Sequence, residues 1–206
     1  MALSVLFEDN HLIVINKRAG DLVQGDKTGD KPLSDMVKDY IKVKYNKPGE
    51  VYLGVAHRID RPTSGIVIFA RTSKALTRLN KMFQDKEIQK TYWAVVRNSP
   101  ESESAVLTHW LKRNTQQNKS YAHYKSIGPG SKESTLTYKL KAKSDNYYLL
   151  EVLPKTGRHH QIRTQLSFIG CPIKGDLKYG AKRSNPNGSI HLHARGIKFI
   201  HPVKKE

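Results

Sequence analysis

The sequence predicts a one-domain α+β protein spanning residues 1–206, and three observations lead there. Strand-like apolar runs outnumber segments with helical spacing. Several of those runs follow one another across short turns, the habit of antiparallel neighbours. No linker, internal repeat or low-complexity tract divides the chain.

The opening VLFEDNHLIVINK, residues 5–17, reads as two short strands broken by a turn at Glu8-Asp9-Asn10. Leu33, Met36, Val37, Tyr40, Ile41 and Tyr45 then recur at helical spacing, and Pro32 suits a first turn. After a turn at Pro48-Gly49, VYLGVAHRID is a strand-like run with a charged end, and Ile66–Ala70 is a short buried strand. Ser73 is placed to cap a helix running to about Asp85, with Leu76, Leu79, Met82 and Phe83 on one face. Ile88–Val96 predicts another strand, and Pro100–Ser104 an acidic turn. Several short strands are expected between Val106 and Leu153, interrupted by a loop at Gly128-Pro129-Gly130. A helix opens at Gly157 or Arg158 and stops at Gly170, with Ile162, Leu166 and Ile169 as its core stripe. A long basic loop, Pro172–Gly188, and a strand from His191 to Ile200 complete the chain.

Charge restricts the partners. Thirty-six Lys and Arg against eighteen Asp and Glu give a formal net charge of +18. Residues 154–206 hold eleven of those cations and only two of the acids, which is half the net charge in a quarter of the length. A polyanion is the expected partner, because neutralised phosphates release condensed counterions. Nucleic acid is favoured over a membrane, since no amphipathic basic helix or lipidation motif is present and no run reaches the ~18–20 apolar residues of a membrane span. Met1–Asn10 is too short and too acidic for a secretory signal. With Cys171 as the only cysteine, no intramolecular disulfide can form, which points to a reduced, cytoplasmic setting.

Three constellations could carry chemistry. His57-Arg58-Ile59-Asp60-Arg61-Pro62-Thr63-Ser64-Gly65 sets an acid between two arginines in a polar loop. Such an aspartate suits an ionised nucleophile or base, and equally a loop-capping Asx-turn helped by Thr63 and Ser64. In Lys155-Thr156-Gly157-Arg158-His159-His160-Gln161-Ile162-Arg163, helical spacing puts His159 and Arg163 on one face, bordered by Arg158 and Gln161. That face is either a site or a solvated basic surface. Along Lys90-Thr91-Tyr92-Trp93-Ala94-Val95-Val96, alternation points Tyr92, Ala94 and Val96 one way and Trp93 and Val95 the other. Tyr92 is then a stacking platform for a base or a core tyrosine.

Other motifs fail. Gly170–Gly175 resembles the start of a phosphate loop, but Asp176 and Leu177 occupy the places that need Lys and Ser or Thr. Thr63-Ser64-Gly65 lacks the glycine two residues before the serine that a nucleophile elbow requires. His191-x-His193 and His159-His160 lack cysteine or acidic company, so no metal is expected.

Together these segments resemble the RluA-type pseudouridine synthases. HRIDRPTSGIVIFA is similar to the family's HRLD-x-x-TSG-L signature, with Ile59 for leucine; KTYWAVV and LEVLPKTGRHHQIRTQL are similar to its second and third motifs. VLFEDNHLIVINKRAG and LHARGIKFIHP match its first and last strands, so the likeness covers residues 3–203. Arg18 departs from the proline usual after Lys17. The resemblance implies the pseudouridine-synthase fold, a mixed, largely antiparallel sheet with flanking helices and an RNA-binding cleft. It implies isomerisation of uridines in ribosomal or transfer RNA, without cofactor or metal.

By the same resemblance Asp60 is the catalytic aspartate, Tyr92 the active-site tyrosine and Arg163 the basic residue paired with Asp60. Arg58 enters the RNA stack as the target nucleotide leaves. RNA contacts are also expected from His57, Arg61 and Thr63, from Arg158, His159 and Gln161, and from Lys174, Lys178, Lys182 and Arg183. No S4-like domain precedes Val5, so target selection is expected to rest on the catalytic domain, acting as a monomer. The alternative is a non-catalytic RNA-binding or ribosome-assembly module on the same fold.

Overall fold

The computed structural model describes residues 3–26 and 28–205. Its contacts gather into two compact units, Met1–Ile88 with Ile197–Glu206, and Gln89–Gly196.

In the first unit, β1 (Val5–Glu8), β2 (Leu12–Lys17) and β4 (Ser64–Ala70) lie side by side, and the two-residue β3 (Gly54–Val55) pairs with the end of β4. The β2–β4 ladder is antiparallel and sets Leu12 against Ala70 and Val14 against Ile68. These four share a face with Ala75 and Leu79 of α2 (Ser73–Gln84), and Ile197, Phe199 and Val203 pack on the same cluster. The alternate residues Ile13, Ile15, Val67 and Phe69 are equally buried, so both faces of these strands are covered, as their unbroken apolar runs require. Helix α1 (Leu33–Lys44) buries Leu33, Val37 and Ile41, one residue per turn. Asp35 in its first turn and Lys42 and Lys44 in its last suit the helix dipole.

Two expectations need correction here. VYLGVAHRID is a strand only at Gly54–Val55. The ladder stops because the His57 ring, through Nε2, accepts the Ile68 N–H at 2.9 Å, taking a donor that a continuing strand would have used. The cap of α2 is Thr72, whose side chain accepts from the Ala75 N–H at 3.2 Å, and Ser73 is the first helical residue.

In the second unit the strand order is β10-β5-β9-β8-β6-β7. Here β5 is Gln89–Val96, β6 Ser104–Asn114, β7 Lys119–His123, β8 Ser131–Lys143, β9 Tyr148–Pro154 and β10 Leu192–Lys198, the last extending past this unit at Gly196. The β5–β9, β9–β8, β8–β6 and β6–β7 ladders are antiparallel. Where short strands were expected, β6 and β8 run for 11 and 13 residues. Alternating polar residues keep one face wet along their length, which hides their extent in a search for apolar runs. Ala94, Val96, Leu107, Leu136, Leu150 and Val152 form the inner face. It is closed by Ile162 and Leu166 of α3 (Gln161–Phe168), with Cys171, Ile173 and Leu192 in the same cluster. Full burial of a leucine such as Leu166 is worth about 1.5–3 kcal/mol.

Helix α3 begins later than expected. His160 has φ 53°, in the left-handed region, so the chain turns sharply there. The Gln161 side chain accepts the Arg158 N–H at 3.0 Å and holds the approach in a turn.

Candidate active site

In the first unit the chain between β3 and β4 is pinned on both sides of Asp60. Upstream, the His57 ring is held by the Ile68 N–H and lies 4.9 Å from the Phe83 ring. Since Nε2 accepts, the ring proton of the neutral form sits on Nδ1. Ile59 is buried and anchors the centre. The Thr63 N–H donates to the Asp60 carbonyl at 3.0 Å and closes the turn. Downstream, the Arg61 carbonyl accepts from the Gly20 N–H at 2.8 Å and from Lys17 Nζ at 3.1 Å. The Arg61 guanidinium donates back to the Gly20 carbonyl at 3.0 Å and to Asp30 at 2.6 Å. Gly20 has φ +98°, which a side chain would strain.

Lys17 is the buried peg of this arrangement. It is 1% exposed, and its ammonium also donates to the Arg18 and Asp21 carbonyls, each at 2.8 Å. Three carbonyls match the three donors of an ammonium group. Burial pushes its pKa down to about 8, offset in part by the charges of Asp21 and Asp60. The result is a partly exposed aspartate on a rigid turn. Arg58 beside it is exposed, whereas Thr63 is buried, its hydroxyl unpartnered among the described residues.

In the second unit, Tyr92 lies on the face of β5 shared with Ala94 and Val96, partly buried against the core. Trp93 faces the other way, with the Arg195 guanidinium 4.7 Å from its ring. The expected alternation holds.

Arg163 projects from α3 into the interior. Its Nε donates to Asp176 Oδ2 at 2.7 Å and its Nη2 to Oδ1 at 2.8 Å, with both side chains at or below 5% exposure. This fork uses two of the five donors of a guanidinium. The Tyr179 ring lies 5.0 Å from the guanidinium carbon. The Tyr179 hydroxyl accepts the Ser120 N–H at 2.8 Å and is 2.9 Å from His160 Nδ1. His160 stacks on His159 at 3.7 Å, and His159 Nδ1 is 2.9 Å from the Ser120 hydroxyl. Burial, and then the Arg163 charge, lower the His160 pKa to about 2, so this ring is neutral at ordinary pH.

Sequence spacing misjudged two of these residues. His159 is outside α3 and shares no helical face with Arg163; its ring belongs to the Ser120–His160 network. Gln161 is 4% exposed: its carbonyl takes the Thr156 hydroxyl and the Arg158 N–H, and its amide donates to the Thr135 carbonyl at 3.1 Å. An amide so engaged braces the turn before α3 and is turned away from solvent. Asp176 and Tyr179 were missed. The available signal was a lone internal acid in an otherwise basic C-terminal quarter, three residues before a tyrosine.

The remaining basic candidates are spread over the second unit. Arg158, Lys178, Lys182 and Arg183 are exposed, and Lys174 lies 4.6 Å above the Tyr147 ring. Lys178 reaches the Gln117 and Asn118 carbonyls at 3.3 and 3.2 Å. No group of three or more His, Cys, Asp or Glu suited to a metal gathers among the described residues.

Comparison with known proteins places this architecture. Residues 11–168 match the family model described as RNA pseudouridylate synthase. The chain is 33% identical over 98% of its length to a ribosomal large subunit pseudouridine synthase C from Buchnera aphidicola subsp. Baizongia pistaciae, and spans 64% of that relative. It is 30% identical over 99% of its length to a tRNA pseudouridine synthase C from Vibrio parahaemolyticus, spanning 87% of it. The solved structure of human RNA pseudouridylate synthase domain containing 4 superposes with a TM-score of 0.80 at 24% identity, covering 95% of this chain and 84% of that one. The fold is that of the pseudouridine synthases, α+β with a predominantly antiparallel sheet, and the chain belongs to the RNA pseudouridylate synthase family.

Proposed function

We propose that this chain isomerises selected uridines in ribosomal or transfer RNA to pseudouridine, as a single cytoplasmic catalytic domain, monomeric and without cofactor or metal. The N1–C1′ bond breaks, the detached uracil rotates, and C5 joins C1′ while its proton leaves. The observation that carries the reading is the turn at Asp60: a partly exposed aspartate on a segment whose flanks are held by the His57 ring, Lys17 and Arg61, in a member of this family. Glycoside hydrolysis needs a second, protonated carboxyl group and a water. A lone carboxylate instead suits attack on C1′ or removal of the C2′ proton, with uracil retained for rejoining.

Arg163, in this reading, acts with Asp60 as its cationic partner, while Asp176 holds the guanidinium through its Nε and Nη2. Tyr92 stacks on uracil and takes part in loss of the C5 proton. A base inside folded RNA must first be extruded, at a cost of a few kcal/mol, and the exposed Arg58 offsets this by filling the vacated stack. Arg61, Arg158, Lys174, Lys178, Lys182 and Arg183 grip phosphates, and His57, Thr63, His159 and Gln161 support these contacts from within. Names of relatives that act on ribosomal and transfer RNA support the substrate class.

The test is carbodiimide treatment and primer extension on RNA incubated with the wild type and with Asp60→Asn. The wild type is expected to create new stops, and Asp60→Asn none, while its RNA affinity stays nearly unchanged. Wild-type binding without any pseudouridine would instead support a non-catalytic RNA-binding module. Affinity should fall steeply with salt, by about 0.9 in log–log slope per neutralised phosphate on duplex.

A further inference from the structure

The β6–β7 hairpin and the loop after it carry charge of one sign. Between Ser104 and Lys132 stand Lys112, Arg113, Lys119, Lys125 and Lys132, and no Asp or Glu. Arg113, Lys125 and Lys132 are exposed, and β7 is the last strand of its sheet. At the end of β7, His123 sits opposite Trp110, so Tyr124 emerges beside His109.

Three rings meet there. Tyr124 and Phe168, the last residue of α3, are 4.9 Å apart at 62°. His109 lies 4.8 Å from Phe168 and 5.8 Å from Tyr124, both edge-on. His109 is buried, and its Nδ1 is 3.1 Å from the Gln165 amide, which also donates to the Leu107 and Ser134 carbonyls. The base of the cluster is therefore rigid. Its top is open: Tyr124 is 79% exposed, and its hydroxyl makes no hydrogen bond among the described residues. An aromatic ring fixed by edge contacts, with its surface in water, is prepared for stacking at little entropic cost.

We propose that Tyr124, braced by Phe168 and His109, is a stacking platform for an unpaired base of the bound RNA, apart from the residues assigned to catalysis. The one-signed charge of the hairpin and its loop selects the occupant, with Glu133 opposite Trp110 as the neighbouring acid on β8: exposed cations such as Lys125 next to an exposed ring suit a nucleotide's phosphate and base together. A protein partner would need no such one-signed charge. The proposal rests on RNA being the substrate, and it names a second contact for RNA flanking the target uridine.

The probe is a fluorescently labelled oligouridylate of about 12 nucleotides, followed by anisotropy against wild type, Tyr124→Ala and Tyr124→Phe. Tyr124→Ala should weaken binding by about fivefold or more, with the salt slope unchanged because no phosphate contact is removed. Tyr124→Phe should bind as the wild type does. Thermal melting of each variant checks that the fold is intact, as expected at so exposed a position. Unchanged affinity in Tyr124→Ala, or equal loss in Tyr124→Phe, overturns the platform. Pseudouridine formation by the wild type is scored separately. Its absence alongside a Tyr124 effect would sink the isomerase reading alone, and its presence without that effect would sink the platform alone.

Discussion

Arg163 and Asp176 meet as a buried fork, guanidinium edge to carboxylate edge, at 2.7 and 2.8 Å. The pairing joins a helix to the loop beyond it, 13 residues later, and it gives the sole internal acid of the basic C-terminal quarter its partner. Removing one member leaves a charge stranded where water does not reach.

Asp176→Asn is therefore expected to cost about 3–5 kcal/mol, read from urea unfolding. The paired replacement Arg163→Met with Asp176→Leu should recover much of that loss, because it buries no charge. Equal stability of the single and double variants would refute a buried ion pair. Both should be inactive if Arg163 takes part in the reaction.

Lys17→Met removes the ammonium that three carbonyls share. A loss of about 2–4 kcal/mol is expected, since buried acceptors lose their donor. The difference from the wild type also depends on pH. Lys17 titrates near 8 when folded and near its ordinary 10.5 when unfolded, so between these values the unfolded chain binds more protons. Wild-type stability should rise relative to Lys17→Met from pH 8 to pH 10.5. Parallel stability curves over that range would contradict the burial of this ammonium.

His160 gives the acid limb. Its folded pKa is depressed to about 2 against an ordinary 6.5, so the unfolded chain binds the extra proton between those values. Stability is expected to fall as pH drops below 6.5, with His160 contributing nearly one proton to the slope. His160→Asn tolerates the left-handed backbone and should flatten that slope in calorimetric scans.

Gly175 sits directly before Asp176 with φ +87°, and a methyl group there would stand 2.7 Å from the Ser189 carbonyl and 2.6 Å from the Asn185 amide. Gly175→Ala should destabilise the protein by about 1–3 kcal/mol. It should also lower activity by displacing Asp176, whereas Gly130→Ala, with open space around it, should leave activity unchanged.

The sequence announces whatever rests on local periodicity. Leu33, Val37 and Ile41 mark α1, and Ala94 and Val96 fix the face on which Tyr92 lies. It hides whatever a side chain decides from afar. Nothing near His57 says that its ring will end β3, because the donor it takes belongs to Ile68. The start of α3 is set by Gln161 turning back to Arg158, a contact that defeats the i,i+4 argument for His159. The loop around Asp60 stood out through its unusual charge pattern. Asp176 did not, because a single acid in a loop carries no period, and its meaning lies in Arg163.

Cys171 sits in the core of the second unit at 2% exposure, and burial pushes its thiol above the ordinary range. As the chain's one sulfhydryl, it is silent to alkylating reagents while that core stays shut. Its labelling rate in denaturant thus becomes a clock for the breathing of residues 89–196 alone. Set beside a circular-dichroism melt of the whole chain, that clock would tell whether the two units unfold in one step or in turn.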